Sequence, residues 1–146
     1  MVESISLKEV EFLAFELAQK ILELNEPIPD FSTRFPDKLE SCIATPFVQL
    51  SGYNPYPTLI DKAGILFYLM IKNHPFANGN KRIAVTTLLL FLQKNKKWIK
   101  IDAYSLYRFT LWIAESPGEL KDDVVNVING FLKKHIITAW NNRGHF

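Results

Sequence analysis

One cysteine, Cys42, is all the chain has, so no disulfide can form within it and the fold does not depend on an oxidising compartment. A cytoplasmic setting fits. Charge of one sign is lacking too: Lys and Arg number 17 against 15 Asp and Glu, and a scattered +2 makes no electrostatic footprint for nucleic acid. The opening MVESISLKEVEF is acidic where a secretory signal needs basic residues, and no wholly apolar run approaches the roughly 20 residues of a membrane helix. The expectation is a chain neither exported by that route nor membrane-spanning. Internal repeats, low-complexity stretches and linkers are also missing. What is present, 146 residues of which 48% are hydrophobic, suits one domain over 1–146 with a real core.

Ser6 to Glu9 has the spacing of a capping box, with Ile5 and Val10 placed as a hydrophobic staple, which predicts a helix from about Leu7 to about Leu24, stopped by Pro27 and Pro29. A short helix is expected over Lys38 to Ala44 with Asp37 as N-cap. The stretch TPFVQLSGYNPYPT, Thr45 to Thr58, holds three prolines around the alternating Phe47, Val48, Gln49 and Leu50 and reads as an extended hairpin or flap, the one segment expected to supply strands. Thr58, with Asp61 in the first turn, caps a helix that runs to about Asn73. A second apolar helix, Lys81 to Lys94, shows no polar face and belongs at the centre. Asp102 caps a further helix to about Glu115, Ser116 to Gly118 turn the chain, and a last helix is expected to continue to Trp140. The fold class is all-α: a compact helical bundle with a short β-hairpin flap.

Between the two apolar helices lies HPFANGNKR, His74 to Arg82. A helix that starts after Gly79 and Asn80 turns backbone N–H groups and the positive end of its dipole toward the loop, which is an anion site. Gly79 lets backbone approach a phosphate closely, Asn80 can add a side-chain hydrogen bond, and Lys81 and Arg82 supply charge. It is no Walker A loop, because Arg82 stands where that motif needs Ser or Thr. His74 can accept a hydroxyl proton as phosphorus is attacked, and Phe76 points inward as the loop's apolar anchor. Base plus anion hole means transfer chemistry. Taken singly, His74 reads as a surface or core-edge histidine, Gly79-Asn80 as a turn and Lys81-Arg82 as a solvated helix start; the argument lies in their coincidence within one window.

HPFANGNKR resembles the signature of the Fic/Doc family, in which a histidine, a phenylalanine, an acidic residue and a Gly-Asn-(Gly or Lys)-Arg run form the loop between two central helices. The match is at His74, Phe76, Gly79, Asn80, Lys81 and Arg82, and it is closest to the Doc, or death-on-curing, toxins. Most Fic members transfer AMP and carry Gly at the place of Lys81 and a second arginine where Val85 stands; Doc toxins have the lysine and lack that arginine. The resemblance therefore implies a protein kinase that moves a phosphoryl group from ATP to a threonine of elongation factor Tu, blocking translation. It implies His74 as general base, Asn80 and Arg82 on the nucleotide phosphates together with Gly79 and Phe76, and Lys81 stabilising charge on the transferred group. Mg²⁺ is implied as well, although Asn78 replaces the family's acidic residue and offers only a neutral carbonyl.

The flap resembles the family's target-docking element, which pairs main chain with the substrate, through Phe47, Val48, Gln49 and Leu50. The competing reading is a plain surface hairpin with Tyr53 and Tyr56 packed on the body. The Ser/Thr-to-Glu spacing of the family's inhibitory helix is absent, so inhibition would come from an antitoxin whose disordered tail folds into a groove, with Trp112 or Phe109 lining it or lying in the core. His135 reads as a helix-end cation, and His135 and His145 lack ligand spacing. Lys94, Lys96, Lys97 and Lys100 read as a solvated edge or a docking patch, and Cys42 as a small buried residue. Two other functions stay open: a nucleotide transferase acting on another protein, and a catalytically silent module that binds a partner.

Overall fold

In the computed structural model, which describes residues 1–21 and 28–138, Ser6 closes the expected capping box. Its hydroxyl accepts from the Glu9 N–H at 3.1 Å and the Glu9 carboxylate accepts from the Ser6 N–H at 2.9 Å. Helix α1 (Leu7–Glu9) passes into a π-helical stretch, Val10–Ala14, and then into α2 (Phe15–Ile21); the expected continuation to Leu24 lies outside the described residues. Ile5 and Val10 are both buried.

A 3₁₀ turn, Phe31–Thr33, leads to α3 (Pro36–Ala44). Here the reading shifts: the N-cap is Phe35, not Asp37, because Pro36 at the first helical position has its φ preset for a helix and moves the start two residues back. Thr58 caps α4 (Leu59–Lys72) with a full capping box to Asp61, and Asp102 caps α6 (Ala103–Glu115) through the Ser105 N–H, both as expected.

Helices α4 and α5 (Asn80–Lys94) form the centre. Every residue of α4 from Lys62 to Ile71 is buried, and α5 is buried on all sides, which is why it carries no polar face. Helix α2 and the π-helical stretch pack on α5, while α6 and α7 (Lys121–His135) pack on α4. The family of helices is thus organised around one apolar pair.

Two strands, β1 (Lys97–Ile99) and β2 (Ile136–Thr138), form an antiparallel ladder with Trp98 opposite Ile137. This corrects two expectations. The last helix ends at His135, since the β-branched run Ile136-Ile137-Thr138 leaves it to pair with β1, and the ladder lies outside the flap. The flap keeps a single antiparallel bridge, Leu50 to Tyr53, around a tip where Ser51 and Gly52 have φ of 50° and 81°. No helix among the described residues is long and apolar enough to cross a membrane.

Candidate functional site

Helix α4 ends at Asn73, and the next residue, His74, is exposed with φ 47°. That left-handed conformation costs a non-glycine residue about 1 to 2 kcal/mol, so the surroundings must impose it. They do so one residue at a time. The Pro75 carbonyl accepts the Phe35 N–H at 2.8 Å, tying the loop to the start of α3. The Phe76 ring is buried and meets the rings of Phe15 and Phe31 at 5.0 and 6.1 Å, so the expected apolar anchor has an aromatic socket.

The loop's own amides complete the frame. Asn80 is buried; its Oδ1 accepts from the Phe76 N–H at 3.0 Å and its Nδ2 donates to the Phe76 carbonyl at 2.9 Å. Both ends of that side chain therefore hold backbone. Asn78 Oδ1 accepts from the Gly79 N–H at 2.9 Å. Gly79 is the N-cap of α5 with φ 71°, a conformation that glycine adopts without the clash a Cβ would bring, and its carbonyl accepts the Ile83 N–H. The result is an exposed histidine in the loop that runs into the positive end of a buried helix, with Lys81, half-buried, in its first turn.

Arg82 goes elsewhere. It is buried, and both Nε (3.0 Å) and Nη2 donate to the Ala18 carbonyl of α2. One turn further along α5, the Thr86 hydroxyl donates to the Ala14 carbonyl at 2.9 Å, at the end of the π-helical stretch. Two polar rungs thus join α5 to the two alanines, whose small side chains allow the close approach. A π-helical turn leaves backbone groups out of the usual ladder, and Thr86 supplies a partner for one of them.

The flap side chains divide. Phe47 is half-buried in a 3₁₀ turn, Thr45–Phe47, with its ring 6.3 Å from that of Phe91; Val48 is half-buried; Gln49 and Leu50 are exposed. Of the two tyrosines read as packed on the body, Tyr56 packs against the core while Tyr53 is exposed. The 14 residues of α4 put about 21 Å of helix between Thr58, where the flap ends, and the His74 loop. His74, Phe76, Asn78, Gly79, Asn80 and Lys81 are therefore gathered in one loop and helix start, and the base of the flap stands at the far end of the helix that carries them.

Asn78 is neutral and its carbonyl oxygen already takes the Gly79 N–H. Among the described residues no group of three His, Cys, Asp or Glu side chains is placed to hold a metal ion. These side chains do not make a metal site of their own. Two clefts, of about 240 and 290 Å³, lie away from the loop, one beside Tyr56 and Asp122 and the other beside Leu13 and Lys94.

A histidine-bearing loop that joins two buried central helices and ends on a glycine-capped helix start is a Fic-type arrangement. The chain belongs to the Fic/DOC family, which matches residues 4–92. Among curated proteins it is similar to one named Toxin Doc from Mycolicibacterium smegmatis, 37% identical over 64 residues, or 44% of this chain and 49% of that protein. The match thus spans about half the length of that relative. No solved structure matches the chain significantly.

Sequence reasoning missed the residues that hold the site. Phe15, Phe31 and Phe35 come from segments far from the motif in sequence, and nothing local marks them. The anchoring role of Asn80 had a signal: an asparagine four residues after Phe76 at a helix start is a side chain short enough to bond its own loop. Cys42 is buried as expected; burial pushes its thiol up to about 11, against a hydrogen bond from Asn73.

Proposed function

We propose that this chain, taken as one Fic/Doc domain over 1–146, is a Doc-type toxin that transfers the γ-phosphoryl group of ATP to a hydroxyl of a target protein, by resemblance a threonine of elongation factor Tu, and so blocks translation. The observation that carries the reading is the loop itself. Its aromatic anchor is seated against two other rings, its amide side chains are engaged in holding backbone, and His74 is exposed in the loop that leads into the start of α5.

In this reading His74 accepts the target's hydroxyl proton while the hydroxyl oxygen attacks the γ-phosphorus and ADP departs. The start of α5 and Lys81 stabilise the charge that grows on the transferred group. Arg82, with its fork on the Ala18 carbonyl, fixes α2 against α5, and its other N–H donors are the ones a nucleotide phosphate would engage. Lys81 and Val85 favour phosphoryl over AMP transfer. The flap residues Gln49 and Leu50 receive the target segment, and the stacked rings of Phe109, Trp112 and Phe131 form the apolar floor on which an antitoxin tail folds. A cytoplasmic site of action follows from that target.

A second reading, a silent partner-binding module, is favoured by one observation: the family's acidic position is Asn78, with its oxygen engaged by Gly79. Incubation with ATP labelled at the γ or the α position, Mg²⁺ and elongation factor Tu, beside His74→Ala, separates these readings. The expected result is label from the γ position alone, reduced about 10²- to 10⁴-fold in the mutant. Label from the α position means nucleotide transfer instead, and label from neither favours the silent module or another target.

A further inference from the structure

The geometry points to Lys62 as the residue that positions the flap, and through it the protein target; the second half of this rests on the docking reading above. Lys62 sits in the first turns of α4 and is only 6% exposed. Its ammonium donates to the Pro46 carbonyl at 3.0 Å and to the Tyr56 carbonyl at 2.5 Å, and lies 4.8 Å above the centre of the Phe47 ring.

Those two carbonyls bracket the flap. Pro46 precedes and Tyr56 follows the segment 47–55, so one side chain gathers the entering and the leaving strand at a single point. Burying an ammonium is costly unless other dipoles replace the water it loses. Two carbonyls and the electron-rich face of an aromatic ring do that here. A methionine of similar length would fill the space with no desolvation cost, so the cation's contribution is the tie and not the packing.

Beyond the tie, Phe47 and Tyr56 pack against the core, and the rest of the flap holds itself. The Val48 N–H donates to the Thr45 carbonyl, and Leu50 and Tyr53 exchange two hydrogen bonds of 2.8 Å across the tip. The tip side chains Leu50 and Tyr53 are 56% and 64% exposed. A self-bridged tip on a base pinned at one point is a lever whose direction Lys62 sets. Because α4 carries Lys62 near one end and delivers His74 at the other, a target segment laid on the flap is registered to the histidine through that helix.

Lys62→Met tests this by two readouts. Hydrogen exchange at the Val48, Leu50 and Tyr53 amides is expected to speed up at least about tenfold with α5 unchanged, since a freed base opens only locally. The KM for the protein target is expected to rise at least about tenfold, with KM for ATP and kcat held within about twofold, the pattern of lost uniform binding. Unchanged flap exchange overturns the tie, and a fall in kcat with KM unchanged overturns the positioning role. If the unmodified protein modifies no target, the docking reading fails by itself and exchange still decides the tie. Should Lys62→Met not fold, Lys62→Gln keeps a donor and must show faster flap exchange than the parent; equal rates overturn the proposal.

Discussion

The His74 loop and the flap are both irregular segments that border α4, and they are held in opposite ways. In the loop, successive residues are fixed by side chains and by other segments: Pro75 by the Phe35 N–H, Phe76 by two rings and the Asn80 amide, Gly79 by Asn78. The flap is fixed at its base by Lys62 and by the packing of Phe47 and Tyr56 on the core, at its tip by its own backbone, and its tip side chains face solvent. The difference suits the two tasks proposed for these segments. A proton-accepting group must keep its geometry to a fraction of an ångström, whereas a docking edge gains from freedom to meet another chain.

The comparison breaks most sharply at Phe76. Removing its ring in Phe76→Ala empties a buried aromatic socket, and urea unfolding should show a loss of about 3 to 5 kcal/mol. Asn80→Ala leaves the Phe76 N–H and carbonyl buried without their partner, and the same assay should show a loss of about 1 to 3 kcal/mol. Leu50→Ala and Tyr53→Ala remove exposed side chains and should each stay within about 0.5 kcal/mol of the parent. Losses there as large as at Asn80 would mean that flap and loop are held alike.

One further effect, dependent on pH, lies outside both. Partial burial raises the Glu9 carboxyl, but the Lys94 ammonium at 2.8 Å and the Ser6 N–H and hydroxyl outweigh it and hold it below the ordinary carboxylate value of 4.5. A depressed folded pKa contributes stability that is present above the unfolded value and is lost as pH falls through the folded one. The stability gap between the parent and Glu9→Gln should therefore be at most about 1 kcal/mol at pH 7 and close as the pH is lowered below 4.5.

Much of this was legible in the sequence because the signals are local. Ser6, Thr58 and Asp102 cap their helices with the spacing that a cap requires, and the missing polar face of α5 announced its place. Phe76 was readable as an anchor because it is the one large apolar residue in a polar loop. The rest depends on partners distant in the chain. Arg82 reads as a phosphate ligand from its charge, its forked donors and its place in the motif; that part of its fork rests on Ala18, 64 residues away, is a tertiary fact. Strands of three residues such as Lys97–Ile99 have no room to show a period, so the turn of the chain out of α7 went unread. Nothing in the sequence marks Lys62, since no sequence signal tells a lysine that binds two carbonyls from one that faces water.

The most direct test of the central claim, that the start of α5 is a phosphate site with His74 at its edge, is an amide chemical-shift titration with ATP, with and without Mg²⁺. The account predicts shifts centred on Gly79, Asn80, Lys81 and Arg82 and extending to His74, with Leu50 and Tyr53 unmoved. Shifts centred on the Tyr56 and Asp122 cleft, or none at the α5 start at saturating nucleotide, would contradict it.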